Sequence, residues 1–272
     1  LQCWTNRTFL MAEAIDLNSS KSVAAAALAC LDLTELGDTA TEEATLALVD
    51  RSTSQAGSTA AVCIWPRYVA AARLRLGAGS PVRIATVVNF PSGDLPVDEV
   101  VRETSRAIAD GADEIDLVIP WKAFIRGDEQ AVRAMISAVR AAVPAPARLK
   151  TILETGELKD PGLIARASDI ALEEGADFIK TSTGKVAVNA TLEAARIMLT
   201  AIRRSGRKAG FKPAGGIRTV DDARAYFALC QEIMGPGWVS PETFRFGASG
   251  LLGDILSTLG NGSPASDQEA GY

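Results

Sequence analysis

Along the chain, short apolar runs alternate with longer segments in which apolar residues recur at every third or fourth position. A short apolar run bounded by turn residues is typical of a strand buried on both faces, and the longer spacing is typical of an amphipathic helix. The predicted strands are residues 30–34, 59–64, 82–89, 114–119, 148–155, 177–181, 209–212 and 244–248.

A helical segment follows every predicted strand, and one more precedes the first. The predicted helices are residues 22–31, 41–49, 67–76, 98–110, 128–143, 161–174, 192–204, 220–234 and 251–259. Strands and helices that alternate in this way indicate a parallel sheet covered by helices. The pattern therefore predicts an α/β fold, a (β/α)8 TIM barrel with an extra N-terminal helix.

No linker interrupts this pattern, so the sequence predicts a single TIM-barrel domain over residues 21–260. Residues 1–20 are expected to be an N-terminal extension, and part of it is a candidate for non-native sequence because Met11 resembles a natural start. Residues 261–272 are polar, and we expect them to be a mobile C-terminal tail.

The composition is typical of a globular protein, and we expect a cytoplasmic one. Of the 272 residues, 47% are hydrophobic and 22% are charged, which is enough apolar material for a full core. The net charge of −5 argues against a nucleic-acid surface. No apolar stretch has the length needed to cross a bilayer, so no membrane partner is expected. The four cysteines have spacings that fit neither a zinc site nor a compact disulfide framework.

The chain contains no histidine. This excludes a serine–histidine triad and removes the commonest metal ligand, so we expect no metal and no other cofactor. The chemistry must therefore depend on lysine, carboxylate, hydroxyl, thiol or backbone groups.

Two lysines stand at the ends of predicted strands, and a loop of small residues follows each of them. Lys180 leads into residues 181–185, and Lys212 leads into residues 213–216. A charged amine is costly at the end of a buried strand. Two such lysines on neighbouring parallel strands are expected to lower each other's pKa, because like charges disfavour the protonated form. A free amine near neutral pH is what Schiff-base chemistry requires.

The active site of a TIM barrel lies at the carboxyl ends of its strands. Polar residues stand at these predicted ends, and they include Asp32, Thr34, Cys63, Asn89, Asp116, Glu154, Thr155, Lys180, Lys212 and Ser249. The loops 214–216 and 248–250 follow the last two strands, where this fold often binds phosphate, and both can present backbone N–H groups. The sequence therefore predicts a phosphate site beside two lysines and a carboxylate.

Six segments resemble motifs of the deoxyribose-phosphate aldolase family, and the resemblance extends from about Ala26 to Leu259. The segments are 32–34 (DLT), 113–116 (DEID), 149–158 (LKTILETGEL), 179–184 (IKTSTG), 210–216 (GFKPAGG) and 244–249 (FRFGAS). The resemblance implies a class I, metal-free aldolase. Such an enzyme reversibly cleaves 2-deoxy-D-ribose 5-phosphate to D-glyceraldehyde 3-phosphate and acetaldehyde, in deoxyribose catabolism.

The resemblance also implies roles for individual residues. Lys180 becomes the Schiff-base lysine, Lys212 perturbs it and takes part in proton transfer, and Asp116 donates and accepts protons. The residues implied to bind phosphate are Gly184, Lys185, Gly215, Gly216, Ser249 and Gly250. Those implied to bind the sugar hydroxyls are Asp32, Thr34 and Thr183. The family often carries two serines where this chain has Ser249 and Gly250, so one hydroxyl contact to phosphate is expected to be missing.

Three further residues allow two interpretations each. Cys63 either contacts the substrate or is a small buried apolar side chain. In family members that end in a tyrosine the tail can reach the site, which makes Tyr272 a candidate, although residues 267–271 differ from the expected tail. Lys150 rivals the other two lysines on spacing alone, and we expect it to lie behind the site or to flank its strand.

Other functions stay open at this point. One is a Schiff-base aldolase for another phosphorylated aldol, and a second is a non-catalytic barrel that binds a phosphosugar. The joint presence of Lys180, Lys212 and Asp116 argues against the second. A metal-dependent aldolase would need a ligand cluster that a histidine-free chain lacks. In every case the expected partner is a small phosphosugar, and a homodimer is left open.

Overall fold

Eight parallel strands form one sheet in the computed structural model, which describes residues 14–260. In chain order the strands are β1 (Leu31–Glu35), β2 (Ala61–Ile64), β3 (Arg83–Val88), β4 (Glu114–Val118), β5 (Arg148–Ile152), β6 (Phe178–Lys180), β7 (Gly210–Lys212) and β8 (Phe246–Ala248). From β1 to β7 each strand pairs with the next one in the chain, and β8 pairs with β1. Two parallel bridges, Phe211 with Phe244 and Ala214 with Gly247, join β7 to the β8 segment and close the barrel. The predicted TIM barrel is confirmed.

Helices surround this barrel. Within the described residues they are α1 (Ser20–Ala29), α2 (Glu42–Arg51), α3 (Val69–Leu76), α4 (Val97–Ala109), α5 (Trp121–Ile125), α6 (Glu129–Ala142), α7 (Thr155–Leu158), α8 (Pro161–Glu173), α9 (Leu192–Ser205), α10 (Val220–Met234) and α11 (Leu251–Thr258). Polar side chains accept an N–H from the first turn of six helices and so fix where those helices begin. These caps are Ser19, Thr41, Asp128, Asp160, Thr191 and Thr219. Among the helices of residues 14–260, none is long and apolar enough to cross a membrane.

The extra N-terminal helix is present as α1. It packs against α10 and α11, and its buried face includes Val23, Ala27 and Leu28. Of the predicted extension, residues 1–13 lie outside the described residues, as do residues 261–272 of the predicted tail.

The core follows from the alternation of side chains along each strand. In β4, Ile115 and Leu117 point outward and belong to the apolar layer under the helices, whereas Glu114 and Asp116 point into the barrel. Burial of each isoleucine or leucine in that layer contributes roughly 1.5–3 kcal/mol. The outer layer therefore supplies most of the apolar burial, and the barrel interior holds the charged groups beside a smaller apolar cluster.

The structure departs from the predicted elements where they are short or bent. The predicted strand 148–155 ends at Ile152, because Glu154 adopts a left-handed conformation (φ 57°) and α7 follows it. The sequence pattern also did not predict the helix α5 or a short antiparallel pair of strands, Thr53–Ser54 with Gly57–Ser58. Elements of one turn or two residues are too short to show a period.

Candidate active site

One carboxylate inside the barrel contacts three lysine amines. The Oδ2 atom of Asp116 lies 2.8 Å from the Nζ atom of Lys180 and 2.8 Å from that of Lys212. Its Oδ1 atom lies 2.9 Å from the Nζ atom of Lys150. Asp116, Lys150 and Lys212 are fully buried, and Lys180 is 3% exposed. The structure therefore brings the three predicted catalytic residues together.

The strand register explains why these side chains meet. Lys180 and Lys212 are the last residues of β6 and β7 and stand opposite each other in the sheet. Lys150 stands opposite Asp116 on the neighbouring strand. Inward side chains of a TIM barrel stack in layers, so Lys180 and Lys212 form the upper layer at the carboxyl ends and Lys150 lies one layer below.

A second set of charges lies beneath these lysines. Arg245 Nη1 is 2.6 Å from Asp32 Oδ1, and Arg245 Nη2 is 2.7 Å from Glu114 Oε1. Lys150 Nζ is 2.5 Å from Glu114 Oε2, and Lys212 Nζ is 2.6 Å from Asp32 Oδ2. All of these groups are buried. Buried charges persist in a fold only when they are paired in this way.

The cluster contains four cations, Lys150, Lys180, Lys212 and Arg245, and three carboxylates, Asp32, Glu114 and Asp116. It therefore carries one more positive than negative charge when every group is ionised. Among residues 14–260, Lys150 contacts three carboxylates and Lys212 contacts two, whereas Lys180 contacts Asp116 alone. Loss of one proton from a lysine would leave the cluster electrically neutral.

The charges perturb one another strongly. Burial opposes ionisation of Asp116, but Lys150, Lys180 and Lys212 outweigh burial and hold its pKa well below the usual range. Burial also opposes ionisation of Glu114, but attraction by Lys150 and Arg245 outweighs burial and lowers its pKa to about 2. Both carboxylates are therefore ionised at neutral pH.

Lys212 differs from the sequence expectation that neighbouring lysines lower each other's pKa. Burial disfavours its charged form, yet attraction by Asp116 and Asp32 outweighs burial and raises the pKa of Lys212. The pKa of Lys150 is raised for the same reason, by Asp116 and Glu114 against burial. The expectation is wrong for Lys212 because carboxylates separate the lysines.

A cavity of about 500 Å³ opens above the upper layer. The predicted residues that line it are Lys180, Thr34, Thr183, Gly184, Gly215, Gly216, Ser249 and Gly250. Arg218 and Leu36 line it as well. The cavity thus combines one amine, several hydroxyls, a guanidinium and glycine backbone at the carboxyl ends of β1, β6, β7 and β8.

Two glycines of the loop after β7 adopt a backbone conformation that other residues rarely adopt. Gly215 and Gly216 both have a φ of +83°, which side chains other than glycine rarely adopt. A Cβ on Gly215 would lie 2.7 Å from the Cβ of Asn189. Gly250 directly precedes α11, and free N–H groups at a helix N-terminus favour an anion. These loops can therefore present backbone N–H groups to a phosphate.

Three predicted binding residues have other partners. Asp32 lies beneath the cavity, fully buried, with its oxygens paired to Arg245 and Lys212. Lys185 lies beside the cavity loop, and its Nζ atom is 2.8 Å from Asp38 Oδ1. Cys63 is fully buried in an apolar cluster with Leu36, and its Sγ atom is 3.9 Å from Asp116 Oδ2. Tyr272 lies outside the described residues.

Burial also raises the pKa of the Cys63 thiol. Cys63 thus lies among apolar side chains beside Asp116, and its contact with substrate stays a prediction.

Sequence reasoning missed several functional groups. Glu114 stands two positions before Asp116 in one strand, so the period of two could have placed both inside the barrel. Arg245 lies between Phe244 and Phe246, which both point outward, so the same period of two could have placed Arg245 inside the barrel. Arg218 directly follows the predicted glycine loop and Ile217. Within residues 14–260, no group of three or more cysteine, aspartate or glutamate side chains could hold a metal ion.

The arrangement is suited to amine chemistry on a carbonyl compound. Lys180 is the one lysine of the cluster that lines the cavity. Its amine can attack a carbonyl carbon, and Asp116 at 2.8 Å can exchange protons with the reacting groups. The glycine loops and Arg218 lie where they would hold an anionic part of the same molecule.

Comparison with known proteins agrees with this geometry. A model of the DeoC/LacD family of aldolases matches residues 14–248. A curated relative, the deoxyribose-phosphate aldolase of Agrobacterium fabrum, is 61% identical over 251 residues, which cover 92% of this chain and 97% of the relative.

Two solved structures are similar, and both proteins are assigned as deoxyribose-phosphate aldolases. The one from Toxoplasma gondii has a TM-score of 0.81 at 27% identity and covers 90% of this chain and 99% of its own. The one from Coccidioides immitis has a TM-score of 0.75 at 30% identity and covers 87% of this chain and 86% of its own. By sequence and by structure, the chain belongs to the DeoC/LacD family of aldolases.

Proposed function

We propose that this protein is a class I aldolase that cleaves 2-deoxy-D-ribose 5-phosphate to D-glyceraldehyde 3-phosphate and acetaldehyde, in either direction. One observation carries the proposal. The amine of Lys180 faces a cavity lined by glycine loops, and it lies 2.8 Å from a buried carboxylate, Asp116. The high identity to the Agrobacterium fabrum deoxyribose-phosphate aldolase supports the same substrate.

Binding is expected to place the phosphate on the loops that contain Gly215, Gly216, Ser249 and Gly250, with Arg218 as a counter-charge. Backbone N–H groups and a guanidinium are strong donors to phosphate oxygens. This leaves the C1 aldehyde of the open-chain sugar toward Lys180. Thr34 and Thr183, which also line the cavity, are then close to the hydroxyl-bearing carbons.

The reaction begins when the deprotonated amine of Lys180 attacks C1. The carbinolamine loses water to give an iminium, which withdraws electrons from the C2–C3 bond. Loss of the C3 hydroxyl proton and cleavage of that bond release D-glyceraldehyde 3-phosphate and leave an enamine on Lys180. Protonation at C2 and hydrolysis then release acetaldehyde and restore the amine.

Proton movement in these steps is assigned to Asp116 and Lys212. Asp116 Oδ2 contacts the amines of both Lys180 and Lys212 at 2.8 Å. A proton can therefore pass between the two lysines through one carboxylate, or through a water bound to it.

The test compares wild type with Lys180→Arg, which keeps the positive charge beside Asp116 but cannot form an imine. Acetaldehyde release from 2-deoxyribose 5-phosphate should fall by at least about 10³-fold. Lys122→Arg, which replaces a partly exposed lysine paired with Asp94, is the matched control and should keep full activity. Retained activity in Lys180→Arg would refute the mechanism.

The same assay separates the alternatives. Phosphate binding by wild type without cleavage of any aldol would indicate a non-catalytic barrel. Faster cleavage of a phosphorylated aldol that keeps its 2-hydroxyl would indicate another Schiff-base aldolase. The homodimer and the cytoplasmic location stay predictions, and light scattering of the purified protein would test the first of them.

A further inference from the structure

Glu154 is a buried carboxylate beside the cavity that the proposed reaction does not use. It follows β5 at the carboxyl end of the barrel and is 1% exposed. Its backbone is left-handed, with φ 57° and ψ 56°. Residues other than glycine are rarely held in this conformation, and such positions cluster at functional sites.

Both carboxylate oxygens of Glu154 form hydrogen bonds with Thr183. Its Oε1 atom accepts the backbone N–H of Thr183 at 3.1 Å, and its Oε2 atom lies 2.6 Å from the Oγ1 atom of Thr183. The backbone on either side is tied to the same loop, because Leu153 N–H donates to Lys180 O and Thr155 N–H donates to Thr181 O, each at 2.9 Å. The end of β5 therefore supports the loop that follows Lys180.

A further hydrogen bond of Thr183 determines whether its hydroxyl can donate to the substrate or accept from it. Thr183 Oγ1 accepts the backbone N–H of Lys185 at 3.0 Å. A threonine hydroxyl has one hydrogen and two lone pairs. Burial raises the pKa of the Glu154 carboxyl, and the two hydrogen bonds from Thr183 oppose that shift. In its ionised form Glu154 accepts the hydroxyl hydrogen, and the backbone N–H of Lys185 occupies one lone pair. One lone pair is left, and Thr183 lines the cavity.

We propose that Glu154 is a positioning residue that fixes Thr183 as a hydrogen-bond acceptor for a hydroxyl group of the substrate. The proposal rests on the proposed function, because it requires a hydroxylated phosphosugar in the cavity. Thr183 directly precedes Gly184 of the expected phosphate loop, whereas Lys180 binds C1. The hydroxyl that it receives is therefore the one on C4, next to the carbon that bears the phosphate.

The substitution Glu154→Gln isolates this role, because glutamine has the shape of glutamate but reverses the hydrogen bond to the Thr183 hydroxyl. The amide oxygen can still accept the Thr183 N–H, but the amide NH₂ would donate to Thr183 Oγ1. Both lone pairs of the hydroxyl would then be occupied, and its hydrogen would be released. Thr183 would become a donor, and the acceptor for the C4 hydroxyl would be lost.

The experiment measures the condensation of acetaldehyde with two acceptor aldehydes at pH 8. D-glyceraldehyde 3-phosphate supplies the hydroxyl that becomes the C4 hydroxyl, and 3-oxopropyl phosphate lacks it. The readout is the ratio of kcat/KM for the two acceptors, which a general loss of folding or of Lys180 chemistry would not change. Glu154→Gln and Thr183→Val should each lower this ratio by about 10-fold.

The double variant should lower the ratio no further than either single variant, because both act through one hydrogen bond. Glu157→Gln removes a carboxylate three residues further on, and it should leave the ratio unchanged. If Glu154→Gln does not fold, Glu154→Gly deletes the carboxylate while its backbone favours the left-handed conformation, and the ratio should fall likewise.

The outcomes separate this proposal from the proposed function. A normal ratio in a folded Glu154 variant, with a lowered ratio in Thr183→Val, would overturn the role of Glu154. Equal losses on both acceptors would also overturn it, since they would indicate a merely structural role. Failure of wild type to condense acetaldehyde with either acceptor would refute the proposed function instead.

Discussion

Replacement of Asp116 by asparagine removes the one group that contacts all three lysine amines. In wild type, three buried carboxylates face four buried cations. In D116N, two carboxylates face the same four cations, and three contacts of 2.8–2.9 Å lose their negative partner. Leaving a buried charge without its partner costs about 3–5 kcal/mol.

That cost is a large share of a typical unfolding free energy of about 5–15 kcal/mol. With a urea dependence of about 3 kcal/mol per molar, it corresponds to a midpoint about 1 M lower or more. Loss of a group that moves protons in the transition state should also lower kcat by about 10²- to 10⁴-fold. Urea unfolding followed by circular dichroism and an acetaldehyde-release assay measure the two effects separately.

The matched control is D50N. Asp50 pairs with Arg75 on the surface, where both side chains are about half exposed, and solvent screens such pairs. D50N should therefore leave both the midpoint and kcat unchanged. A D116N midpoint no lower than that of D50N would refute the charge balance inferred for the barrel interior, and a kcat within 10-fold of wild type would refute the proton role.

Two more predictions test the electrostatics and the cavity. The pKa of Glu114 is lowered to about 2 by Lys150 and Arg245 against burial, so this group stabilises the fold above its usual pKa of 4.5 and loses that contribution as the pH falls through about 2. E114Q should therefore show a shallower loss of stability between pH 6 and pH 2, and an unchanged slope would contradict this. For the cavity, R218M should raise KM for 2-deoxyribose 5-phosphate by about 10-fold or more and leave KM for unphosphorylated 2-deoxyribose unchanged. R207M, at an exposed position outside the cavity, is its control, and equal effects of R218M on both sugars would exclude a phosphate contact.

The fold was predictable from the sequence because each βα unit carries its own periodic signal. The ends of the strands could be read from that signal, which is why Lys180, Lys212 and Asp116 were predicted to lie together. The turn at Glu154 could not be read in the same way. Its left-handed backbone interrupts an otherwise extended run, and its side chain contacts Thr183, which lies 29 positions away.

The electrostatics of the site were less predictable than its location. The sequence shows two lysines on neighbouring strands, but the register and the layers decide which charges lie between them. Asp116 and Asp32 each contact Lys212, so the attraction of carboxylates exceeds the repulsion between lysines. Lys185 illustrates the same limit, because its partner Asp38 stands in a loop after β1, far away along the chain.

The proposed mechanism depends most on a covalent imine between Lys180 and the substrate. Incubation of the protein with 2-deoxyribose 5-phosphate and borohydride, followed by digestion and mass spectrometry, locates the reduced adduct. We expect an adduct on Lys180 and none on Lys150 or Lys212, whose amines are fully buried beneath the cavity. An adduct on either of those lysines, or no adduct while cleavage proceeds, would contradict it.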